Sequence, residues 1–178
     1  RLARTGAPAI GTQMAVDEEG EVLARSNVVM DGYWNQPEET SKAIVDGWFR
    51  TGDGGALDDE SYLMISDRKK DVIISGGENV SSIEVEDAIF QHPDVAEVAV
   101  IGIPDEKWGE LVTALVVTVP DSKLSAEDVV AWTKQRLAGY KCPTSVEERE
   151  ELSRTATGKL QKFRLRAPYW EGIERQVN

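Results

Sequence analysis

Three short stretches of this chain carry residue types that could do chemistry. Thr51-Gly52-Asp53 places a carboxylate after a glycine at the end of an expected strand. Such a carboxylate can accept two hydrogen bonds from a ribose diol, and it can equally stabilise a tight turn with Gly54-Gly55. Arg68 lies in the run Asp67-Arg68-Lys69-Lys70-Asp71. Its guanidinium offers a fork of donors that suits phosphate or ribose oxygens, although charge clusters of this kind are usually solvated surface. Thr155-Ala156-Thr157-Gly158-Lys159 sets a lysine after a glycine on a hydroxyl-rich loop. From there the ammonium could be delivered to a phosphate or a carboxylate as a point charge.

Several other kinds of site are excluded. Ser153 stands where a phosphate-cradling P-loop needs its first glycine, and Leu160 replaces the Ser or Thr that would hold magnesium. Gly76-Gly77 does not fit the G-x-G-x-x-G dinucleotide pattern. Cys, His and carboxylates nowhere cluster at metal-ligand spacing, so no metal site is expected in the chain. His92, just before Pro93, reads as structural.

Composition narrows the class further. With 178 residues the chain can bury a real core, and its 40% hydrophobic and 29% charged content is ordinary for a globular protein. A net charge of −12 argues against a nucleic-acid partner, which requires a basic footprint. The lone Cys142 excludes a disulfide framework and fits a reducing, cytoplasmic setting. No apolar run approaches the roughly 20 residues that span a bilayer, and no signal peptide is expected. Asn79-Val80-Ser81 matches a glycosylation sequon that a cytoplasmic chain would not use.

The elements that must position these residues are legible from periodicity. Residues 20–30 read as an interrupted strand, 38–45 as a short helix and Trp48-Phe49-Arg50 as a brief strand closed by the glycines after Thr51. Leu57 and Tyr62-Leu63-Met64-Ile65 flank Asp58-Asp59-Glu60 as a hairpin. The run from Asp67 to Glu86 then joins a charge cluster, a β-branched strand at Val72-Ile73-Ile74, the pair Gly76-Gly77 and a capping box from Ser81 to Glu84. A charged connector feeding a strand–turn–helix unit reads as a domain junction. Beyond it, Val85, Ala88 and Ile89 mark the inner face of a helix, with Glu84, Glu86 and Asp87 facing away. Strands follow at 95–101 and 111–119, and Ser125 with Asp128 opens a second helix that Gly139 would cap. Val146 centres a third strand, and a basic segment from Lys162 to Arg166 follows. The whole is an α+β fold: a small strand-rich part, then a compact part with a central sheet flanked by helices.

In this order and spacing, the motifs resemble the carboxyl-terminal portion of the adenylate-forming, AMP-binding enzymes, and acyl-CoA synthetases in particular. The resemblance runs from Gly20-Glu21-Val22 and Gly32-Tyr33-Trp34 through Trp48-Phe49-Arg50-Thr51-Gly52-Asp53 to the hinge-like Asp67-Arg68-Lys69-Lys70-Asp71. It continues in Gly102-Ile103-Pro104-Asp105, Trp108-Gly109-Glu110 and the terminal Arg154-Thr155-Ala156-Thr157-Gly158-Lys159. The wording Gly76-Gly77-Glu78-Asn79-Val80 is more like CoA ligases than peptide-synthetase domains.

That resemblance implies a division into residues 1–66, the end of an amino domain, a hinge at 67–71, and a mobile carboxyl-terminal domain at 72–178. It implies an enzyme that converts a fatty acid or related carboxylic acid, ATP and CoA to acyl-CoA, AMP and pyrophosphate through an acyl-adenylate. Asp53 and Arg68 would hold the ribose hydroxyls of ATP and AMP. Lys159 would be the catalytic residue beside the carboxylate and α-phosphate. Lys70 would be the hinge, and Gly76 with Gly77 would meet CoA after rotation. Magnesium would accompany ATP, at a site outside this chain. The start at Arg1 without a methionine, and the missing upstream motifs, lead to the expectation of a piece of a longer protein, inactive without its amino-terminal domain. A free-standing binding or regulatory module of the same fold is the alternative, against which the joint presence of Asp53, Arg68 and Lys159 argues.

Overall fold

A computed structural model describes residues 4–173, and the chain divides after Lys70 into two units, Arg1–Lys70 and Asp71–Asn178. The first unit is an antiparallel sheet of short strands. β1 (Gln13–Val16) pairs with β2 (Glu21–Arg25), and α1 (Pro37–Ala43) leads to β3 (Ile44–Val45). β4 (Trp48–Leu57) takes the centre, with β2 and β3 along its first half and β5 (Leu63–Arg68) along its second. Pro37 opens α1 where its missing N–H costs nothing, with Glu38 and Glu39 in the first turn and Lys42 in the last. The β4–β5 turn is tied by the Asp58 carboxylate, which accepts from the Glu60 and Tyr62 amides at 2.9 Å each.

Three expectations for this unit need correction, the first being the helix expected over 38–45, which ends at Ala43 because Ile44-Val45 pair with β4 as β3. The strand expected over 20–30 stops at Arg25, because the chain turns at 26–29, where the Val29 amide donates to the Ser26 carbonyl, and Val28 is exposed. The strand expected to end at Thr51 instead runs on through Gly52-Asp53-Gly54-Gly55. A β-bulge between Gly54 and Gly55 lets it continue, and a Cβ on Gly55 would sit 2.6 Å from the Met64 carbonyl oxygen. β1 was not expected at all.

The second unit is built on one long hairpin that is apolar on both faces. β6 (Ile73–Ser75) and β7 (Glu78–Val80) form a small hairpin, followed by α2 (Ser82–Phe90). β8 (Val95–Asp105) and β9 (Gly109–Thr118) form the long hairpin, in register from Glu97↔Val117 to Asp105↔Gly109, with a shift between Val95 and Glu97. α3 (Ala126–Lys134) leads to β10 (Ser145–Glu148), which lies parallel to β9, and α4 (Lys162–Arg166) comes last. Alternation along the strands sorts the core. Val100, Val112, Ala114 and Val116 pack with Val85 and Ile89 of α2 and Val129 of α3. Ala99, Ile101 and Leu115 pack on the other side against Leu152, Leu160, Leu165 and Tyr169.

Here too the structure departs from the periodicity reading in specific ways. Gly76-Gly77 does not lead straight to the helix but turns β6 into β7, with φ of +61° and +85°. Ser81 caps α2 by accepting from the Glu84 amide, while the Glu84 carboxylate takes two hydrogen bonds from Lys141 Nζ at 2.8 and 2.6 Å. Glu86 does not face solvent: it pairs with Lys162 Nζ at 2.8 Å and accepts from the Val100 amide at 2.7 Å. α3 does carry the full capping box between Ser125 and Asp128, but it ends at Lys134, and Gly139 begins a separate 3₁₀ turn instead of capping it.

Candidate functional site

The β4–β5 ladder brings Asp53 and Arg68 together. They are Cα partners across the strands, and Arg68 Nε lies 3.4 Å from Asp53 Oδ1 with both side chains partly open to solvent. Gly52, at φ +74°, supplies the backbone conformation just before Asp53. Thr51 fixes the local geometry by donating its hydroxyl to the Val22 carbonyl at 2.7 Å and accepting from the Asp53 amide at 3.1 Å. A half-exposed carboxylate beside a guanidinium provides an acceptor and several donors on one sheet edge, which suits a vicinal diol.

Under this pair sits a buried carboxylate that periodicity did not single out. Glu21 is 4% exposed and receives the Arg50 guanidinium at 2.6 Å, Lys69 Nζ at 3.3 Å and the Gly52 amide at 2.9 Å. Burial alone would push its carboxyl up. The Gly52 amide, Arg50 and Lys69 together outweigh that and hold it below the ordinary glutamate value. Glu21 thereby links β2, the Gly52 backbone of β4 and the charged connector at Lys69. Its sequence signals are its place in the Gly20-Glu21-Val22 motif and its position opening a strand just before Val22, which is fully buried.

In the second unit, Lys159 is presented by a tight loop closed by a bridge between Arg154 and Leu160. Thr155 holds the loop from inside: its amide donates to the Lys159 carbonyl at 2.8 Å and its hydroxyl accepts from the Lys159 amide at 3.0 Å. Gly158 takes φ +83°. Among the described residues the exposed Lys159 ammonium has no partner, so it is available to an anion. Lys70, the expected pivot, lies in a 3₁₀ turn over Lys69–Asp71, and the division between the units falls directly after it.

Gly76-Gly77 forms the tip of the β6–β7 hairpin, with positive φ at both central residues as a type I′ turn requires. The Gly76 amide donates to the Trp108 carbonyl at 2.8 Å, and a Cβ on Gly76 would meet Trp108 Cε3 at 2.8 Å. Trp108 therefore lies over the backbone at the tip, a role its place in the Trp108-Gly109-Glu110 motif did not reveal. A cavity of about 460 Å³ is lined by Ile74, Pro104, Gly109, Glu110 and Trp170, among others. His92 is structural in its contacts, meeting Trp132 edge-on at 4.6 Å and accepting from the Asp94 amide at 3.1 Å. Asp53 and Arg68 thus lie side by side in the first unit, Gly76 and Gly77 at a hairpin tip in the second, and Lys159 on a loop of its own.

Residues 84–159, within the second unit, match the AMP-binding enzyme C-terminal domain family. Over a longer stretch the chain is 51% identical to the long-chain-fatty-acid–CoA ligase FadD13 of Mycobacterium tuberculosis, across 85% of this chain and 30% of that protein. It is 43% identical to a feruloyl-CoA synthase of an Amycolatopsis species, across 88% of this chain and 32% of that protein. Among solved structures, ATP-bound MatB from Rhodopseudomonas palustris superposes with a TM-score of 0.89 at 34% identity, covering 96% of this chain and 36% of that one. The chain therefore spans about a third of the length of the relatives it matches. No helix among the described residues is long and apolar enough to cross a membrane.

Proposed function

We propose that the protein to which this chain belongs is an ATP-dependent carboxylic acid–CoA ligase. In the first half-reaction a carboxylate oxygen attacks the α-phosphorus of ATP, forming an acyl-adenylate and releasing pyrophosphate. In the second, the CoA thiol, losing its proton, attacks the acyl carbonyl; AMP leaves with the bonding electrons and a thioester remains. Asp53 accepts from the ribose hydroxyls and Arg68 donates to the nucleotide. Lys159 places its positive charge where negative charge builds between carboxylate and α-phosphate. Lys70 is the pivot about which the second unit exchanges Lys159 for the Gly76-Gly77 turn, whose bare backbone admits the pantetheine arm of CoA. No group of three or more His, Cys, Asp or Glu that could hold a metal ion occurs among the described residues, so no step is assigned to magnesium within this chain.

The observation that carries this reading is the Asp53–Arg68 pair, an acceptor and a donor set side by side at 3.4 Å on one ladder. The identity to FadD13 makes fatty acids the first acids to try. Acid-dependent exchange of pyrophosphate into ATP by the full-length protein tests the proposal. Lys159→Ala should lower that exchange by roughly 100- to 1,000-fold, while thioester formation from supplied acyl-adenylate is largely kept. Equal losses in both half-reactions would remove Lys159 from its role. The 178-residue chain alone should release no pyrophosphate from ATP with any fatty acid.

A further inference from the structure

The direction in which Lys159 leaves its loop is set by a residue outside the Thr155–Lys159 turn. Arg154 Nη1 donates to the Gly158 carbonyl at 2.8 Å, the carbonyl of the peptide that carries the Lys159 amide. The other edge of the same guanidinium is clasped by Glu97, with Nη2 and Nε donating to Oε2 at 2.5 and 3.1 Å. Glu97 stands on β8, paired to Val117 of β9, so the clasp is referred to the central hairpin of the unit. With the Lys159 amide and carbonyl held by Thr155 and the Gly158 carbonyl by Arg154, the peptide groups on both sides of Lys159 are each anchored while its side chain is left to move.

We infer that Arg154, held by Glu97, is a positioning residue for Lys159. The inference rests on the reading of Lys159 as the group that meets the reacting carboxylate and phosphate. Arg154 and Glu97 are 42% and 36% exposed, and pairs so exposed add little to stability. What the guanidinium supplies is geometry. It is planar and offers donors on two edges, so one rigid group spans a sheet carboxylate and a loop carbonyl. A lysine can reach either partner but not hold both in one plane. A misplacement of about 1 Å in a reacting group is enough to cost on the order of 100-fold in rate.

The test uses the full-length protein. Arg154→Ala should lower the turnover of adenylation roughly 10- to 100-fold, leave KM for ATP within about two-fold, and spare thioester formation from supplied acyl-adenylate. Arg154→Lys should recover part of the loss. In a Lys159→Ala background, Arg154→Ala should cause no further loss, because it acts through the lysine. A readout independent of activity is cleavage by an endoprotease specific for lysine. Arg154→Ala should speed cutting after Lys159 several-fold and leave cutting after the exposed Lys123 unchanged. If Arg154→Ala fails to fold, Glu97→Gln carries the same comparison. Unchanged adenylation and unchanged cleavage at Lys159, or an equal additional loss without the lysine, overturns the inference. If the wild type shows no acid-dependent exchange, the ligase reading fails and the cleavage rates alone decide this one.

Discussion

Asp53 and Arg68 face each other across β4 and β5, with the guanidinium Nε 3.4 Å from the carboxylate Oδ1. The separation is longer than a well-formed charged hydrogen bond, so the two groups are near enough to share a ligand without being saturated by each other. Their exposure, 33% and 43%, makes the pair a weak contributor to stability. Asp53→Asn and Arg68→Ala should therefore leave the unfolding midpoint of this chain nearly unchanged. In the full-length protein each should raise KM for ATP by about 10- to 100-fold, the span expected for losing a hydrogen bond to a charged group. A large drop in thermal stability with no change in KM would make the pair structural.

The two glycines of the β6–β7 turn differ in what a methyl group would meet. Alanine at either position is placed at positive φ, which costs about 1–2 kcal/mol. At Gly77 nothing else lies within 4 Å, whereas at Gly76 the new Cβ meets the Trp108 ring at 2.8 Å. Gly76→Ala should thus destabilise by about 1 kcal/mol or more beyond Gly77→Ala, read as the difference in urea midpoints. In the full-length protein Gly76→Ala should also raise KM for CoA while KM for ATP stays put.

Proline at position 70 tests the pivot. It locks φ near −65° and removes the amide donor, and the division between the units falls just after this residue. Lys70→Pro should preserve acid-dependent pyrophosphate exchange and abolish thioester formation from supplied acyl-adenylate. An intact CoA step would show that the pivot lies elsewhere.

Acid should weaken the first unit. Glu21 titrates below its ordinary value of 4.5, since its hydrogen-bond donors and cations outweigh the burial that opposes them. Asp17 is lowered chiefly by the Glu21 amide, and Asp58 chiefly by the Tyr62 amide. A carboxylate with a depressed folded-state pKa adds stability above its unfolded value, and that stability fades as pH falls through the folded value. The unfolding midpoint should accordingly drop on acidification from about pH 4.5 downward. Glu21→Gln should cost about 2 kcal/mol at neutral pH, less than for a fully buried pair because Arg50 keeps some access to water. The variant should also show a flatter acid limb in urea unfolding followed against pH.

What could be read from residue order was what depends on neighbours in the chain. The hairpin at Asp58-Asp59-Glu60, the capped start of α3, the alternation of β8 and the continuous apolar run of β9 are local signals, and the structure has all four elements. What escaped depends on partners far along the chain. Glu86 reads as an outward helix residue until Lys162 arrives to pair with it. Glu21 appears in the sequence only as part of a motif, and its burial depends on Arg50 and Lys69, which surround it. β7 was missed because Glu78 and Asn79 are exposed and poor strand formers, so only the turn at Gly76-Gly77 and the buried Val80 betray it. The resemblance set Asp53 and Arg68 on one ribose, but that they face each other across a ladder was not legible, since a bulge at Gly54-Gly55 sets their register.

The two apolar faces of the β8–β9 hairpin bear on how the chain survives its own synthesis. α2 precedes the hairpin, and α3 follows it closely, so the face with Val100, Val112 and Val116 gains its cover early. The opposite face, with Ala99, Ile101 and Leu115, waits for Leu152, Leu160, Leu165 and Tyr169. A nascent chain halted before Leu152 would carry a finished strand pair with one greasy side bare, a template for aggregation or for a chaperone's grip. The loop that presents Lys159 lies within that late-arriving cover, so the lysine proposed to meet carboxylate and phosphate takes its place as the hairpin is sealed. Quality control and activation would then be the same event.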